Sequence, residues 1–227
     1  MSFKADALAN ENFLPTARNR KNIKKLLELI GIRMKGPTSA GGSASFTLDA
    51  PAGENPVISA SDRVVTISSP QDGGQVTYTL YTTTGGKISS LTSNTTQLEL
   101  SLTDSVDGAN TVWNNLALVE GALVEETGSF DTTEVFKTIS LGQGPVIENS
   151  VQVFISSDNA LSGSYTQVDN IFSASSTTDR VFEVLYDELY NGTVRFGDGN
   201  SGATPPNSST YRVLYRVGGG SRGNFLG

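Results

Sequence analysis

Several stretches of this 227-residue chain hold residue types that could do chemistry. Gly218-Gly219-Gly220-Ser221-Arg222-Gly223 spells G-x-G-x-x-G, the pattern that brings backbone N–H groups against a pyrophosphate. That chemistry needs a helix N-terminus behind the turn and an acidic residue farther on, and only Asn224-Phe225-Leu226-Gly227 follow, so no dinucleotide site is expected. Gly197-Asp198-Gly199-Asn200-Ser201-Gly202 sets oxygen ligands between glycines like part of a calcium loop, but it lacks the closing Glu of the twelve-residue loop. Asp-Gly after an apolar run more commonly makes a hairpin turn, because both positions tolerate positive φ. A structural turn is the expectation there. Adjacent carboxylates occur at Glu125-Glu126 and Asp187-Glu188. Glycoside hydrolysis needs two carboxylates facing one another across a sugar, usually beside aromatic platforms, and the chain has one Trp. The N-x-S/T triplets at Asn94, Asn191 and Asn207 carry little information in so Ser- and Thr-rich a sequence.

Two absences weigh more than these motifs. With no cysteine there is no disulfide, thiolate nucleophile or Cys-based metal site. With no histidine the usual neutral-pH base and the commonest metal ligand are missing, which excludes Ser-His-Asp and Cys-His catalysis within the chain. Only carboxylate or Lys chemistry remains for an enzyme. The reading is therefore no catalytic residue, no cofactor and no metal site.

Hydrophobic residues make up 37% and charged residues 17%, which is neither a disordered nor a membrane composition. No apolar run is long enough to span a bilayer, and the start, Met1-Ser2-Phe3-Lys4, opens no signal-peptide pattern. Charge is unevenly spread. Residues 1–35 hold eight Lys/Arg against three Asp/Glu, a net of +5, and since the whole chain is −7 the remainder carries −12. A nucleic-acid partner is not expected, because the acidic body would repel phosphate.

The elements that must position any site fall into two kinds. Pro15 can sit in a first helical turn, and Thr16 to Ile30 runs free of Gly and Pro. Ile23, Leu26, Leu27 and Ile30 fall at i, i+3, i+4, i+7, with Arg18, Arg20, Lys21, Lys24 and Lys25 covering the other face. Gly31 supplies a C-terminal stop. So short a helix is marginal in water, and its stripe needs something to pack on; from pattern alone, that is the chain's own β body. Gly36-Pro37 and Gly41-Gly42-Ser43 read as a flexible joint.

Beyond the joint, runs of alternating apolar residues recur at Ser45–Leu48, Val64–Ser68, Val76–Tyr81, Leu98–Leu102, Leu116–Val119, Val135–Ile139, Val151–Ile155, Val181–Tyr186, Thr193–Phe196 and Tyr211–Val217. In the last of these Arg212, Leu214 and Arg216 share one face while Tyr and Val line the other, the period of an antiparallel sheet with one wet face. The fold class is thus mainly β, an antiparallel β-rich body with a short N-terminal helical arm, α+β overall. The predicted organisation is an arm at 1–35, a joint at 36–43, a first β region at 44–103 and a second at 111–227, parted by the polar stretch Asp104–Asn110.

Several stretches taken together resemble a known family. Leu8-Ala9-Asn10-Glu11-Asn12-Phe13-Leu14-Pro15-Thr16-Ala17, with Arg20-Lys21-Asn22-Ile23 and Ile30-Gly31, is similar to the N-terminal helical region of baseplate J-like wedge proteins of contractile-tailed bacteriophages. Val119-Glu120-Gly121, Ile147-Glu148-Asn149-Ser150-Val151 and Val168-Asp169-Asn170 resemble that family's β region. Its most specific stretch is matched by Val194-Arg195-Phe196-Gly197-Asp198-Gly199, Gly202, Pro205-Pro206, Tyr215-Arg216, Gly218-Gly219-Gly220 and Gly223-Asn224. Residues 40–110 match only as generic β sequence.

The resemblance implies a scaffold of the virion tail baseplate, assembled in the host cytoplasm. Its helices would bundle with a second wedge copy and other baseplate and tail proteins, through Phe13, Leu14, Ile23, Leu26, Leu27 and Ile30. The stripe would then pack on partner helices rather than on its own body. Phe196, Gly197, Asp198, Gly199, Gly202, Pro205 and Pro206 would form a structural turn. No nucleic acid, membrane or small-molecule substrate is implied. Members usually extend beyond both ends of this sequence, so a minimal subunit or a piece of a longer protein is expected. The competing readings are a β-sandwich glycan-binding or adhesin module of a tail fibre, and a carboxylate-dependent hydrolase.

Overall fold

Strands rich in Val, Thr, Tyr and Phe, bounded by Gly, Asp, Asn and Ser, form because β-branched and aromatic side chains suit a pleated, half-buried surface. The computed structural model describes residues 18–29, 32–49, 52–68, 73–84, 87–88, 97–106, 110–130, 135–156 and 164–219. The body is predominantly β, built from two curled sheets, with a short N-terminal helix.

The first sheet runs in the order β1-β8-β4-β3, with β1 at Gly41–Leu48, β3 at Val64–Ser68, β4 at Gln75–Thr84 and β8 at Thr111–Glu120. Two short strands flank it, β5 (Lys87–Ile88) on β4 and β7 (Ser105–Val106) on β8, while β2 (Val57–Ile58) and β6 (Leu98–Glu99) pair separately. Its core gathers Leu98, Leu100, Trp113 and Leu116. The indole N–H of Trp113 donates to Ser101 O at 2.9 Å, so the buried ring leaves no orphan donor.

The second sheet runs β10-β14-β13-β12-β11-β15-β9. Its strands are β9 (Ala122–Ser129), β10 (Thr138–Ser140), β11 (Gln152–Ser156), β12 (Ser164–Gln167), β13 (Val181–Tyr186), β14 (Gly192–Phe196) and β15 (Thr210–Val217). All of its pairs are antiparallel except β12–β13, which is parallel. Its core holds Phe130, Phe182, Val194, Phe196, Val213 and Tyr215 among others.

The polar stretch 104–110 does not part the sheets. β8 lies beyond it in sequence yet pairs with both β1 and β4. The chain changes sheet at Gly121, whose φ of 116° and close approach to Ile147 leave no room for a side chain. Its N–H donates to Thr77 O at 2.8 Å and its carbonyl accepts from Thr79 Oγ1 at 2.7 Å, tying the switch point to β4.

β9 has no counterpart among the runs read from sequence, because Glu125 and Glu126 break its apolar alternation. Tertiary partners absorb both charges. Arg212 Nε donates to Glu125 at 2.7 Å, and the Tyr215 hydroxyl donates to Glu126. The face of β15 expected to be wet is likewise dry. Arg212, Leu214 and Arg216 are all buried, because Leu214 and Phe154 pack on Tyr81 and Val119 of the first sheet. That face is the seam between the sheets. The seam makes them one cooperative unit, so Leu214→Ala in the second sheet should destabilise the chain by about 2–5 kcal/mol. The fluorescence of Trp113 in the first sheet should report this as a shifted single urea transition.

Candidate functional site

The helix α1 spans Arg20–Leu29 of the expected 16–30, of which residues 16, 17 and 30 lie outside the described residues. Asn19 starts it: its Oδ1 accepts from Lys21 N–H at 3.0 Å and its carbonyl from the N–H groups of Asn22 and Ile23. Capping at that point sets a ten-residue helix of about 15 Å. Phe13, Leu14 and Ile30 lie outside the described residues. Ile23, Leu26 and Leu27 are each half-buried, and Lys21 and Lys25 are exposed. None of Ile23, Leu26 and Leu27 belongs to, or packs against, any of the body's three core clusters.

Residues 36–43 were expected to form a flexible joint. Instead residues 32–40 form a strap laid across both sheets, and 41–43 enter β1. Gly36 N–H donates to the Glu148 carboxylate, and Pro37 O accepts from Glu148 N–H at 2.9 Å. Arg216 Nη1 reaches Ser39 Oγ at 3.2 Å, and Ala40 N–H meets Glu120 Oε2 at 3.0 Å. Gly41 and Gly42 then enter β1, opposite Val119 and Leu118. Gly218 N–H, at the end of β15, donates to Pro145 O at 3.0 Å.

At the root of the arm sits a latch. Glu183, in the middle of β13, is 1% exposed and forms ion pairs with Arg33 of the strap and Arg195 of β14. It also accepts from Ile171 N–H at 3.0 Å. Arg195 lies against the rings of Phe136 and Phe172, 5.6 and 5.8 Å from their centroids. The signal was present in the sequence: a lone carboxylate inside Val181-Phe182-Glu183-Val184-Leu185-Tyr186 needs cations beside it. Elsewhere the strap packs loosely. Cavities of about 240 and 380 Å³ are bounded by Arg33 and Met34 on one side and Val184 and Tyr186 on the other. Polar bonds rather than close packing hold the arm's root to the body.

The turn residues come together at the far end of β14. Phe196 is fully buried, edge-on to Phe130 at 5.5 Å and to Tyr165 at 5.4 Å. Asp198 Oδ1 accepts from Ser201 N–H at 2.7 Å and Asn200 N–H at 2.9 Å, and these backbone bonds hold its carboxyl below the usual aspartate range. Gly199 N–H closes the loop onto Gly202 O at 3.0 Å. Gly202, at φ 83°, sits where an added Cβ would come 2.8 Å from Val181. Pro205 is buried, and Pro206 O accepts from Ser209 Oγ at 2.7 Å. The carboxylate therefore serves the turn's own backbone.

The paired carboxylates do not face one another across a cleft. Glu125 and Glu126 are successive on β9, so they project to opposite faces, toward Arg212 and Tyr215 respectively. Asp187 is consumed by Leu189 N–H, Asn191 N–H and the Asn191 side chain, at 2.7–2.8 Å. Beside the turn lies an open cleft of about 500 Å³ lined by Tyr165, Thr177, Thr178, Arg180, Thr204 and Pro206. Among the described residues no group of three or more Asp, Glu, His or Cys is placed to hold a metal, and no helix is long and apolar enough to cross a membrane.

Two outcomes follow from the latch and the turn. Glu183→Gln should cost about 2–3 kcal/mol, less than a fully buried pair loses because Arg33 and Arg195 keep some contact with water. Hydrogen exchange of the amides at 32–40 should accelerate in the same variant. Asp198, with a depressed folded pKa, contributes stability that is present above the unfolded aspartate value and lost as pH falls through the folded one. Asp198→Asn should therefore flatten that part of the acid limb of a Tm-versus-pH curve.

No known family model matches the chain, and no curated protein is significantly similar to it.

Proposed function

We propose that this chain is a non-enzymatic structural subunit of a contractile-tail baseplate of the virion, joined to a second copy and to other baseplate proteins through its helical arm. The observation that carries this reading is the apolar stripe of α1. Ile23, Leu26 and Leu27 lie outside the three core clusters of the β body, while the arm's root is fastened by Arg33 to Glu183. An amphipathic helix gains most of its stability from packing its apolar face, and a helix of a neighbouring chain supplies such a face. Charge favours the same arrangement, since the +5 arm of one copy is attracted to the −12 remainder of another. The resemblance of residues 8–31 and 194–224 to baseplate J-like wedge proteins supplies the assembly in which such an arm works. The satisfied carboxylates at Glu125, Glu126 and Asp187 favour a scaffold over a hydrolase.

The absence of cysteine makes a direct test available. Lys25→Cys, at an exposed position of α1, should form an arm-to-arm disulfide on mild oxidation. Adding Leu27→Asp should abolish the crosslink and leave the Tm of the β body unchanged. Crosslinking that persists with Leu27→Asp would refute docking through the stripe.

One observation favours a second reading, a glycan-binding module. Among the described arginines of the β body, Arg180 alone has a guanidinium without a hydrogen bond or ion pair, its carbonyl accepting from Thr166 N–H at 2.8 Å, and it opens with Tyr165 onto the 500 Å³ cleft. A guanidinium, an aromatic ring and threonine hydroxyls suit an acidic saccharide. On that reading, glucuronate-containing oligosaccharides titrated into the protein shift the amide resonances of 177–180 and 199–206, and Arg180→Ala removes the shifts.

A further inference from the structure

We propose that β3 is a pairing edge for a second copy of this chain, two β3 strands running antiparallel about a two-fold axis at Thr66. β3 is the last strand of its sheet, and among the described residues it pairs with β4 alone. All five of its residues are exposed, with Val64, Val65 and Ile67 at 36, 39 and 38%. Free edges of natural sheets are ordinarily guarded by a charge, a proline or a bulge. Val64-Val65-Thr66-Ile67-Ser68 has no charge and no proline, and its register with β4 runs without a break.

Backbone parity and side-chain pattern select the same partner. Leu80 N–H donates to Arg63 O at 2.8 Å, so antiparallel alternation turns the peptide groups of Val65 and Ile67 toward β4. Those of Thr66 and Ser68 are then directed at the open edge, together with the carbonyl of Val64, whose N–H donates to Ser61 O at 3.3 Å. In a copy related by a two-fold at Thr66, Thr66 meets its own equivalent in a hydrogen-bonded pair and the Ser68 N–H meets the Val64 carbonyl. Between them Val65 meets Ile67 in the closer, non-hydrogen-bonded pairs, β-branched against β-branched. Other two-fold registers leave part of the strand unpaired. The contact is isologous and closes on itself. Five residues a side make a small interface, so the dimer is weak and concentration-dependent. The surface lies in the first sheet and uses no part of the arm, so it stands whether or not α1 docks on a neighbour.

The test is sedimentation velocity across a concentration series on the full chain carrying Leu27→Asp, with and without Thr66→Pro. Proline at 66 removes an N–H that only the second copy would use, and edge strands accommodate proline where the N–H faces away from the sheet. The expected result is a monomer–dimer equilibrium that Thr66→Pro weakens at least about tenfold with an unchanged Tm. Val65→Lys with Ile67→Lys should weaken it similarly, and this pair serves if the proline variant does not fold. A Leu27→Asp chain that stays monomeric to about 1 mM would overturn the proposal. So would a dimer indifferent to both edge variants, or open-ended polymers, which signal β3 docking on some other edge.

Discussion

Guanidinium groups held out of water between two sheets are the constraint on which the rest of the molecule hangs. β15 alternates, so Tyr211, Val213 and Tyr215 enter the core of the second sheet and Arg212, Leu214 and Arg216 take the opposite side. That side meets the first sheet. A buried guanidinium costs several kcal/mol unless its donors are met, and here each neighbour supplies an acceptor. Glu125 takes Arg212, while the carbonyl of Glu120 and the hydroxyl of Ser39 take Arg216. The ring of Tyr81 lies between Arg216 and Arg63, whose guanidinium carbons stand 5.8 and 4.8 Å from its centroid. β4, β8, β9 and the strap are thus placed by the demands of one strand's donors.

The strap follows from the same seam. Because Ser39, Ala40 and Pro37 complete bonds that Arg216, Glu120 and Glu148 need, residues 36–40 cannot swing freely. Before Gly36 the restraint changes kind. Arg33 reaches the buried Glu183, but cavities flank Arg33 and Met34, and the stripe of α1 stays outside the core clusters. The turn at 196–206 is self-contained, since its one carboxylate binds its own backbone.

Much of this was legible in residue order, and particular elements show where legibility stops. β3 and β13 occupy the positions that alternation alone assigns them, Val64–Ser68 and Val181–Tyr186. The 196–202 turn follows from Asp-Gly chemistry, which is local. β9 was illegible, because two glutamates in a strand look unfavourable until Arg212 and Tyr215 stand beside them. The helix begins four residues after the periodic run does, since Asn19 caps where periodicity alone shows no break. The apolar stripe of α1 was visible in spacing, which picks out Ile23, Leu26 and Leu27, all half-buried. The latch at Glu183 was not, because its cations come from 150 residues upstream and from the next strand.

By itself, then, the sequence determined the mainly β class, most strand positions, the basic arm and the absence of histidine and cysteine chemistry. Each of these depends on composition or on neighbours a few residues apart. Only tertiary structure decided that β8 belongs to the first sheet, that the arginine face of β15 is dry and that residues 36–40 are bound down. Those outcomes rest on which distant donor meets which acceptor, and pairing at long range leaves no period in the chain for a reader to detect.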